Sequence, residues 1–363
     1  MRLSIVTVSI LFLSACSVSS FDWPPVADEA FLAAPVEVGV NPGVTTIAFG
    51  SCVREDKPQP VWRAVLERDP DLFIFLGDNI YADSDDPNVF RKKYALLEQQ
   101  PGFRALRASV PVIATWDDHD YGQNDIGAEY VSKDAARELM LDFWGASPSS
   151  KRRSQPGGIF TQYQFGEMGQ RVQVILLDLR WNRSELITVT RDEWDNDRNP
   201  SDRGPYNVNP DGSAQMVGDA QWQWLTSVLK EPADVRIIGT SIQALADFTG
   251  WESWANFPRD RERLIAMLGA VDDSEVLLIS GDTHWSEISR YEAPGIELVE
   301  VTSSGLTEEW KRVSPNRHRV GQPFADANFG LIQLDWSAKP VAVQISIVDT
   351  LGREQLQTTL SAN

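Results

Sequence analysis

The chemically versatile side chains of this protein concentrate in four short polar segments, at residues 50–52, 77–81, 117–120 and 281–284. Together these segments offer a thiol, several carboxylates, a phenol and two of the three histidines in the chain. A single aspartate in such a place is more often a helix cap or a turn residue than a ligand. The recurrence of the same chemistry in all four segments favours a metal site.

This set of ligands suits a pair of metal ions that hydrolyse a phosphoester. Two ions about 3.5–4 Å apart can clamp the attacking and leaving oxygens and acidify a bridging water. One carboxylate must then reach both ions, and Asp78, directly after Gly77, is the natural candidate. Thiolate and phenolate ligands suit high-valent iron, whereas carboxylate and amide oxygens suit calcium, magnesium or manganese. Zinc is disfavoured because the histidines are so few.

Each polar segment follows a short apolar run that predicts a β-strand buried on both faces. These runs are residues 45–49, 72–76, 112–116 and 276–280. Helical patterns lie between the strands, at residues 59–68, 88–100, 132–144 and 219–230, with Ser132 and Asp219 as plausible N-terminal caps. Alternating strands and helices predict an α/β layered fold, in which strand-end residues gather in one crevice.

Several regions outside this pattern leave alternatives open. Strands at residues 171–178, 330–335 and 341–348 show more alternation and suggest a second sheet. Residues 181–218 form a long loop, either a lid or substrate-facing insertion or plain surface filler. Asp83, Asp85 and Asp86 are expected in a solvated acidic turn. Most of the 13 tryptophans are expected in the core, and the alternative is a cleft for an apolar or sugar-bearing leaving group.

The overall charge argues against nucleic acid as a partner. The 363 residues include 33 basic and 52 acidic side chains, which gives a formal net charge of −19. Such a surface repels nucleic acid and anionic membranes. An anionic substrate therefore needs local positive charge at its binding site.

The first 16 residues predict a lipoprotein signal peptide. A short apolar stretch leads to Leu13-Ser14-Ala15-Cys16, which resembles the bacterial lipobox, and cleavage there would leave Cys16 lipidated. A plain signal peptide with an incidental cysteine is the alternative. The predicted organisation is a signal peptide at 1–16, a tether at 17–42 and a catalytic domain at 43–363. The protein is then expected in the bacterial cell envelope, anchored by lipid to the outer membrane and facing the periplasm.

Taken together, the four motifs resemble the PhoD-like alkaline phosphatase family of the calcineurin-like metallophosphoesterases. The matching segments are GSC at 50–52, GDNIYAD at 77–83, WDDHDYGQND at 116–125 and GDTH at 281–284. The resemblance extends from about residue 45 to about residue 304. It implies a four-layer α-β-β-α sandwich of two mixed β-sheets flanked by helices. It also implies hydrolysis of phosphomonoesters or phosphodiesters by a metal-activated hydroxide at an iron (Fe³⁺) and calcium centre, with manganese or magnesium as alternatives.

Carried over motif by motif, the resemblance assigns roles to individual residues. It implies iron ligands at Cys52 and Tyr81, a bridging ligand at Asp78, second-metal ligands at Asp118 and Asn124, a further ligand at Asp282, and a ligand or near neighbour at His284. His119 would contact the phosphate or protonate the leaving group. Asp78, Asp118 and His119 would thus be the catalytic residues.

Two arginines are weaker candidates for holding the substrate phosphate, namely Arg54, just after Cys52, and Arg180, after the strand at 171–178. Solvated salt bridges are the alternative for both. The first motif also departs from the wider superfamily, because Cys52-Val53-Arg54 replaces its Asp and His pair. The expected substrate is a small-molecule or lipid-like phosphoester. The competing hypothesis is a lipoprotein on the same fold that binds metal or a phosphorylated ligand without turnover.

Overall fold

The computed structural model describes residues 42–360, which form two large β-sheets with helices on their outer faces. The strands are β1 (Thr46–Gly50), β2 (Leu72–Leu76), β3 (Val112–Thr115), β4 (Thr161–Phe165), β5 (Val172–Leu176), β6 (Ile187–Thr188), β7 (Tyr206–Asn207), β8 (Val235–Gly239), β9 (Glu275–Ser280), β10 (Ser286–Ala293), β11 (Ile296–Ser303), β12 (Arg319–Phe324), β13 (Asn328–Asp335), β14 (Ala342–Asp349) and β15 (Glu354–Leu360). The helices are α1 (Val61–Glu67), α2 (Pro87–Gln99), α3 (Pro101–Ser109), α4 (Asp118–Tyr121), α5 (Lys133–Phe143), α6 (Arg191–Glu193), α7 (Asp219–Val228) and α8 (Pro258–Gly269).

The first sheet has six strands in the order β15-β14-β13-β1-β2-β3. Strands β1, β2 and β3 run parallel, with Ala48 opposite Phe73 and Phe73 opposite Val112. Strands β13, β14 and β15 add to the sheet antiparallel, beginning with β13 beside β1. The prediction that the C-terminal strands build a second sheet was therefore wrong. The pairing of β13 with β1 is a contact across most of the chain, which alternation alone does not encode.

The second sheet has seven strands in the order β12-β10-β11-β9-β8-β5-β4. Within it β5, β8, β9 and β11 are parallel neighbours. Because parallel strands all end on the same side of a sheet, the residues that follow β5 and β9 emerge at one edge. The corresponding edge of the first sheet carries the residues that follow β1, β2 and β3.

The core consists of three buried layers. Successive side chains of a strand point to opposite faces of its sheet and therefore enter different layers. In β2, Leu72, Ile74 and Leu76 pack against the second sheet, whereas Phe73 and Phe75 point to α1, α2, α3 and α5. A third layer lies between the second sheet and helices α7 and α8. Since successive strand residues face opposite sides, a strand buried on both faces must be apolar throughout. The layers confirm the predicted four-layer α/β sandwich.

The predicted helices match α1, α2, α5 and α7 to within two residues at each end, whereas the predicted caps differ. Ser132 precedes α5 but makes no capping bond with its side chain, and its hydroxyl donates to the carbonyl of Asp85 at 3.1 Å instead. Asp219 is the first residue of α7, and Gly218 occupies the cap position. Helix α2 does have a side-chain cap, because Asp86 accepts a hydrogen bond from the Asn88 amide at 2.9 Å.

The long segment at residues 181–218 is built from short elements rather than plain loop. It holds β6, β7 and α6, a π-helical turn at Trp194–Arg198 and a 3₁₀ turn at Asn199–Ser201. Its backbone is hydrogen-bonded to the second half of the chain, from the Gly204 amide to the Thr249 carbonyl at 3.1 Å and from the Tyr206 amide to the Gly250 carbonyl at 2.8 Å. These bonds fix the segment beside residues 249–252.

The predicted signal peptide, the lipidation site Cys16 and nearly all of the predicted tether lie outside the described residues. Within residues 42–360, no helix has both the length and the apolar character needed to cross a membrane.

Candidate metal centre

The polar segments at the ends of β1, β2, β3 and β9 meet in one place. Ligand atoms of Cys52, Asp78 and His284 lie within 4.8 Å of one another, and so do those of Asp78, Asp118 and His119. Two further groups obey the same limit, one with Asp78, Asp117, Asp118 and Asp282 and one with Asp118, Asp125 and Glu252. Asp78 and Asp118 each belong to three of these four groups, but only Asp78 also joins the group with Cys52, so its carboxylate lies where a bridging ligand is required.

The backbone at these strand ends adopts an unusual conformation. Cys52, Asp78, Asp282 and His284 have φ angles of 63°, 52°, 71° and 60°, in the left-handed region that few non-glycine residues adopt. Such conformations cost about 1–3 kcal/mol and cluster at functional sites. Gly77 is needed beside Asp78, because at its φ of 111° a Cβ would lie 2.4 Å from the Asp117 Cβ.

Cys52 is buried, and its thiol lies among polar groups that include a carboxylate. Its Sγ lies 3.4 Å from Asp78 Oδ2 and 3.1 Å from Ser304 Oγ. The Tyr81 hydroxyl lies 3.5 Å from the same Asp78 oxygen and 3.2 Å from His284 Nε2. Burial, together with the charge of Asp78, raises the pKa of the Cys52 thiol well above its usual range. A cation at this position would offset that charge and favour the thiolate.

The carboxylates at the centre outnumber the cations that could neutralise them. Burial, with the repulsion of neighbouring carboxylates, raises the pKa of Asp78 and that of Asp282 well above the usual range. Asp78 Oδ1 is also buried without a hydrogen-bond partner among residues 42–360. A buried, unpartnered carboxylate oxygen is costly unless a cation is supplied. The residues present therefore fit the metal ions that the sequence predicts.

A second charged cluster nearby supplies its own cations. Arg180 places Nε and Nη2 each 2.5 Å from Asp117 Oδ1, and its Nη1 lies 2.5 Å from Glu252 Oε2. Arg183 Nε lies 2.8 Å from the other oxygen of Glu252. All four side chains are at most 1% exposed. We call these four residues the arginine–carboxylate cluster.

This geometry corrects the sequence prediction for Arg180. Its guanidinium is fully buried, bonded on two edges, and does not line the cavity described below. It orients Asp117 and Glu252 rather than holding a substrate phosphate. Arg54 is different, since 37% of its side chain is exposed and its guanidinium lies 5.0 Å from the centroid of the Tyr81 ring. Its ion pair with Asp56 is exposed and therefore weak.

His119 lies in α4 and is oriented by a carboxylate that sequence analysis assigned to a solvated turn. Its Nδ1 lies 2.7 Å from Asp83 Oδ1, and its ring packs 4.2 Å from that of Tyr81. Burial by itself lowers the pKa of His119, but Asp118 and Asp83 outweigh it and raise the pKa to about 9. The imidazolium can thus donate a proton. All three acidic-turn residues, Asp83, Asp85 and Asp86, are exposed, as predicted.

His284 has the opposite electrostatic environment. Burial lowers its pKa to about 4, so the imidazole is neutral near pH 7 and has a lone pair for a metal. The two histidines that the sequence places together are therefore suited to different tasks. His119 is suited to donate a proton and His284 to bind a metal.

A cavity of about 250 Å³ opens beside these groups. It is lined by acidic, amide, imidazole and indole side chains and one threonine, from Asp78, Asp118, His119, Asn124, Asp125, Trp251, Glu252, Asp282, Thr283, His284, Trp285 and Trp310. Asn124 is exposed there, and its amide nitrogen donates to Asp125 Oδ2 at 2.6 Å. Cys52 and Tyr81 do not line the cavity but contact Asp78 and His284, which do.

Sequence analysis missed three residues that the fold brings to the site. Asp83 and Asp125 belong to the matched motifs, so a search for every acid within those segments would have included them. Glu252 lies between Trp251 and Ser253, outside any motif and far from the other acids in sequence. Only the folded chain places it within 4.8 Å of Asp118 and Asp125.

The two packed sheets are also found in solved structures of other proteins. A solved dimetal phosphatase from Danio rerio superimposes with a TM-score of 0.50 at 14% identity, covering 87% of this chain and 98% of that one. The PhoD-like phosphatase family model matches residues 47–328. The chain belongs to the PhoD-like phosphatase family, which confirms the resemblance in its motifs.

Two solved structures and one curated protein add detail. A structure of PhoD superimposes with a TM-score of 0.64 at 18% identity, covering 90% of this chain and 73% of that one. GAP50, the anchor in the inner membrane complex of Plasmodium, gives a TM-score of 0.55 at 12% identity, covering 88% and 90%. Alkaline phosphatase D of Bacillus subtilis (strain 168) is 23% identical over 301 residues, 72% of this chain and 49% of that protein. This chain thus spans about half the length of its curated relative.

Proposed function

We propose that this protein hydrolyses phosphomonoesters, phosphodiesters or both at a two-metal centre built around Asp78. The observation that carries the proposal is the position of Asp78 in three of the four ligand groups, between a thiol and phenol side and an all-carboxylate side. Family membership supports the same chemistry.

The two sides differ in the metal they favour. Cys52, Tyr81 and His284 supply sulfur, phenol and imidazole, which suit iron, and Asp118, Asn124 and Asp282 supply oxygens, which suit calcium, manganese or magnesium. When bound, such ions lower the pKa of water and neutralise charge on phosphoryl oxygens.

The protein's own residues would bind the ester and move the proton. His119 lines the cavity, and its Nδ1 is engaged by Asp83, which leaves Nε2 to donate to the leaving oxygen. A protein that merely bound a phosphorylated ligand would have little need of an imidazolium so oriented. Arg54 is the arginine with an exposed guanidinium near Tyr81 and is proposed to attract the anionic substrate.

We further propose that Cys16 carries lipid and anchors the protein in the bacterial envelope, on the outer membrane facing the periplasm. The lipobox-like residues Leu13-Ser14-Ala15-Cys16 support this proposal. Replacing Cys16 by serine in the full chain should then move the protein from the membrane fraction to the soluble fraction. Unchanged fractionation would contradict the anchor.

The catalytic proposal is tested by metal analysis and hydrolysis on one preparation. The purified protein should contain metal and should cleave p-nitrophenyl phosphate or bis-p-nitrophenyl phosphate. Prolonged chelation should abolish cleavage, and addition of iron and calcium together should restore it. A metal-loaded protein that cleaves neither ester would overturn the proposal, as would cleavage that survives complete removal of metal.

A further inference from the structure

The lining of the cavity at the candidate metal centre contains two chemically different sets of side chains. The first set, called the metal side, consists of the carboxylates and imidazoles already described, and the second consists of the indoles of Trp251, Trp285 and Trp310. The proposed metal ligands account for the first set. The indoles have no role in that account.

The indoles are connected to the metal side by sequence adjacency and by a backbone hydrogen bond. Trp251 precedes Glu252 and Trp285 follows His284 in the sequence. The backbone amide of Trp310 donates to the carbonyl of His284 at 2.8 Å, and its indole Nε1 donates to the carbonyl of Arg312 at 2.9 Å. The rings are therefore held at fixed positions relative to the acidic residues.

Three of the tryptophans form a row. The Trp251 and Trp310 ring centroids lie 6.1 Å apart with the ring planes at 78°, and those of Trp194 and Trp251 lie 6.1 Å apart at 81°. Trp194 comes from the segment at residues 181–218 and contacts Trp251 without lining the cavity itself. We call Trp194, Trp251 and Trp310 the tryptophan row.

The row differs from the tryptophans that build the core. Trp62, Trp116 and Trp254 are fully buried, as sequence analysis expected for most tryptophans, whereas 39% of Trp310 is exposed. An indole left partly in water beside a cavity is a surface that a ligand ring can cover. Its neighbour Trp251 supports it edge to face, so little side-chain freedom is lost on binding.

We propose that the tryptophan row binds a flat apolar ring on the alcohol portion of the phosphoester substrate while the phosphate occupies the metal side. The choice of substrate class rests on the proposed function, but the recognition of the ring does not require turnover. Stacking on an aromatic side chain contributes about 1–3 kcal/mol per ring in nucleic-acid sites and less between protein rings. At about 1.4 kcal/mol per factor of ten, an effect near tenfold is expected from the most exposed ring, Trp310.

The test measures binding of phosphonates, whose carbon–phosphorus bond resists hydrolysis. The metal-loaded full chain is titrated calorimetrically with benzylphosphonate, which carries the ring, and with ethylphosphonate, which lacks it. Trp310→Ala should weaken benzylphosphonate about tenfold and ethylphosphonate less than about twofold. Trp310→Phe should restore most of the loss. Trp224→Ala is the matched control, since Trp224 packs against Phe160 and does not line the cavity, and it should change neither constant.

The outcomes separate this proposal from the proposed function. Equal weakening of both phosphonates by Trp310→Ala, or no weakening of benzylphosphonate, would overturn ring recognition. Hydrolysis of benzyl phosphate and glycerol phosphate by the same preparations is measured in parallel. If no ester is cleaved but benzylphosphonate still depends on Trp310, the catalytic proposal fails and ring recognition stands. If the esters are cleaved and Trp310→Ala slows the hydrolysis of benzyl phosphate and of glycerol phosphate equally, ring recognition fails and the catalytic proposal stands.

Discussion

The candidate metal centre and the arginine–carboxylate cluster lie side by side, are both buried, and differ in their cations. Arg180 and Arg183 neutralise Asp117 and Glu252 through bonds of 2.5–2.8 Å. Asp78 and Asp282 are not paired with an arginine in this way, and burial, together with the repulsion of Asp117 and Asp118, raises the pKa of each. Burial of acid groups is thus common to both regions. The absence, among the described residues, of an arginine paired with Asp78 and Asp282 distinguishes the region suited to metal.

The comparison also explains how the two regions cooperate. Asp117 and Asp118 are adjacent in sequence, yet Arg180 lies 2.5 Å from the Asp117 carboxylate and 3.8 Å from that of Asp118, which faces the cavity. The arginine–carboxylate cluster therefore fixes the chain segment from which the metal-side carboxylate projects. Disrupting the arginine–carboxylate cluster should lower the stability of the fold, and disrupting the candidate metal centre should lower the rate of hydrolysis.

The largest effect is expected from Asp78→Asn. Loss of the shared carboxylate should lower hydrolysis by about a thousandfold or more, since metal ions contribute several kcal/mol to the transition state. The same change should leave the metal-free protein as stable as before or more stable, because it removes a buried charge that lacks a partner. Hydrolysis and urea unfolding of the chelated protein measure these two effects, and metal content is determined on the same samples. A variant that keeps both metals and full activity would contradict the assignment.

The next largest effect is expected from Arg180→Met. Removing one partner from a buried ion pair leaves Asp117 and Glu252 uncompensated and should cost about 3–5 kcal/mol of unfolding free energy. Urea unfolding of the metal-free protein measures this loss. Arg191→Met is the matched control, because Arg191 is 84% exposed in its pair with Asp195 and should change stability little. Unaltered stability with selective loss of phosphate binding would restore the original prediction for Arg180.

Chelation should give the protein a characteristic dependence of stability on pH. Burial raises the pKa values of Asp120 and Asp125 to about 7, against about 3.9 in an unfolded chain. The folded state then binds protons more tightly than the unfolded state. The stability of the metal-free protein should fall as the pH rises from about 4 to about 7.

Bound metals should flatten this profile, because their charge compensates the ionised carboxylates. Thermal unfolding of chelated and metal-loaded protein across that pH range makes the comparison. A metal-free protein that gains stability as the pH rises would show that the acidic centre is already neutralised within the folded chain.

The smallest effect is expected from Asp83→Asn. The imidazole of His119 would lose the carboxylate that orients it, and kcat should fall by about tenfold while metal content stays constant. The descending alkaline limb of the pH–rate profile should move to lower pH, since Asp83 raises the pKa of His119. Asp85→Asn is the control, because Asp85 accepts from Gln123 and not from His119. Equal kinetics for the two variants would remove Asp83 from the mechanism.

The sequence could predict those parts of the site that follow from local pattern. Asp78 directly follows an apolar strand, and parallel strands bring their ends together, so its position is encoded within a few residues. The sheet membership of β13 and β14 could not be predicted in this way, because it depends on pairing with β1 at the other end of the domain.

The roles of some charged residues could not be predicted from the sequence either. Glu252 has no motif, and its role arises only when Arg180 and Arg183 reach it from another segment. Arg180 itself could pair with a phosphate or with carboxylates, and nothing near it in sequence distinguishes the two. The choice depends on burial, which is a property of the complete fold.

Metal is proposed to bind at Asp78, a buried carboxylate that no described arginine neutralises. Anomalous diffraction from crystals of the metal-loaded protein, collected at the absorption edge of each metal found by elemental analysis, tests it most directly. The account predicts two peaks, both within coordination distance of the Asp78 carboxylate, one on the Cys52 side and one on the Asp118 side. Peaks elsewhere, or an active protein without a peak at Asp78, would contradict it.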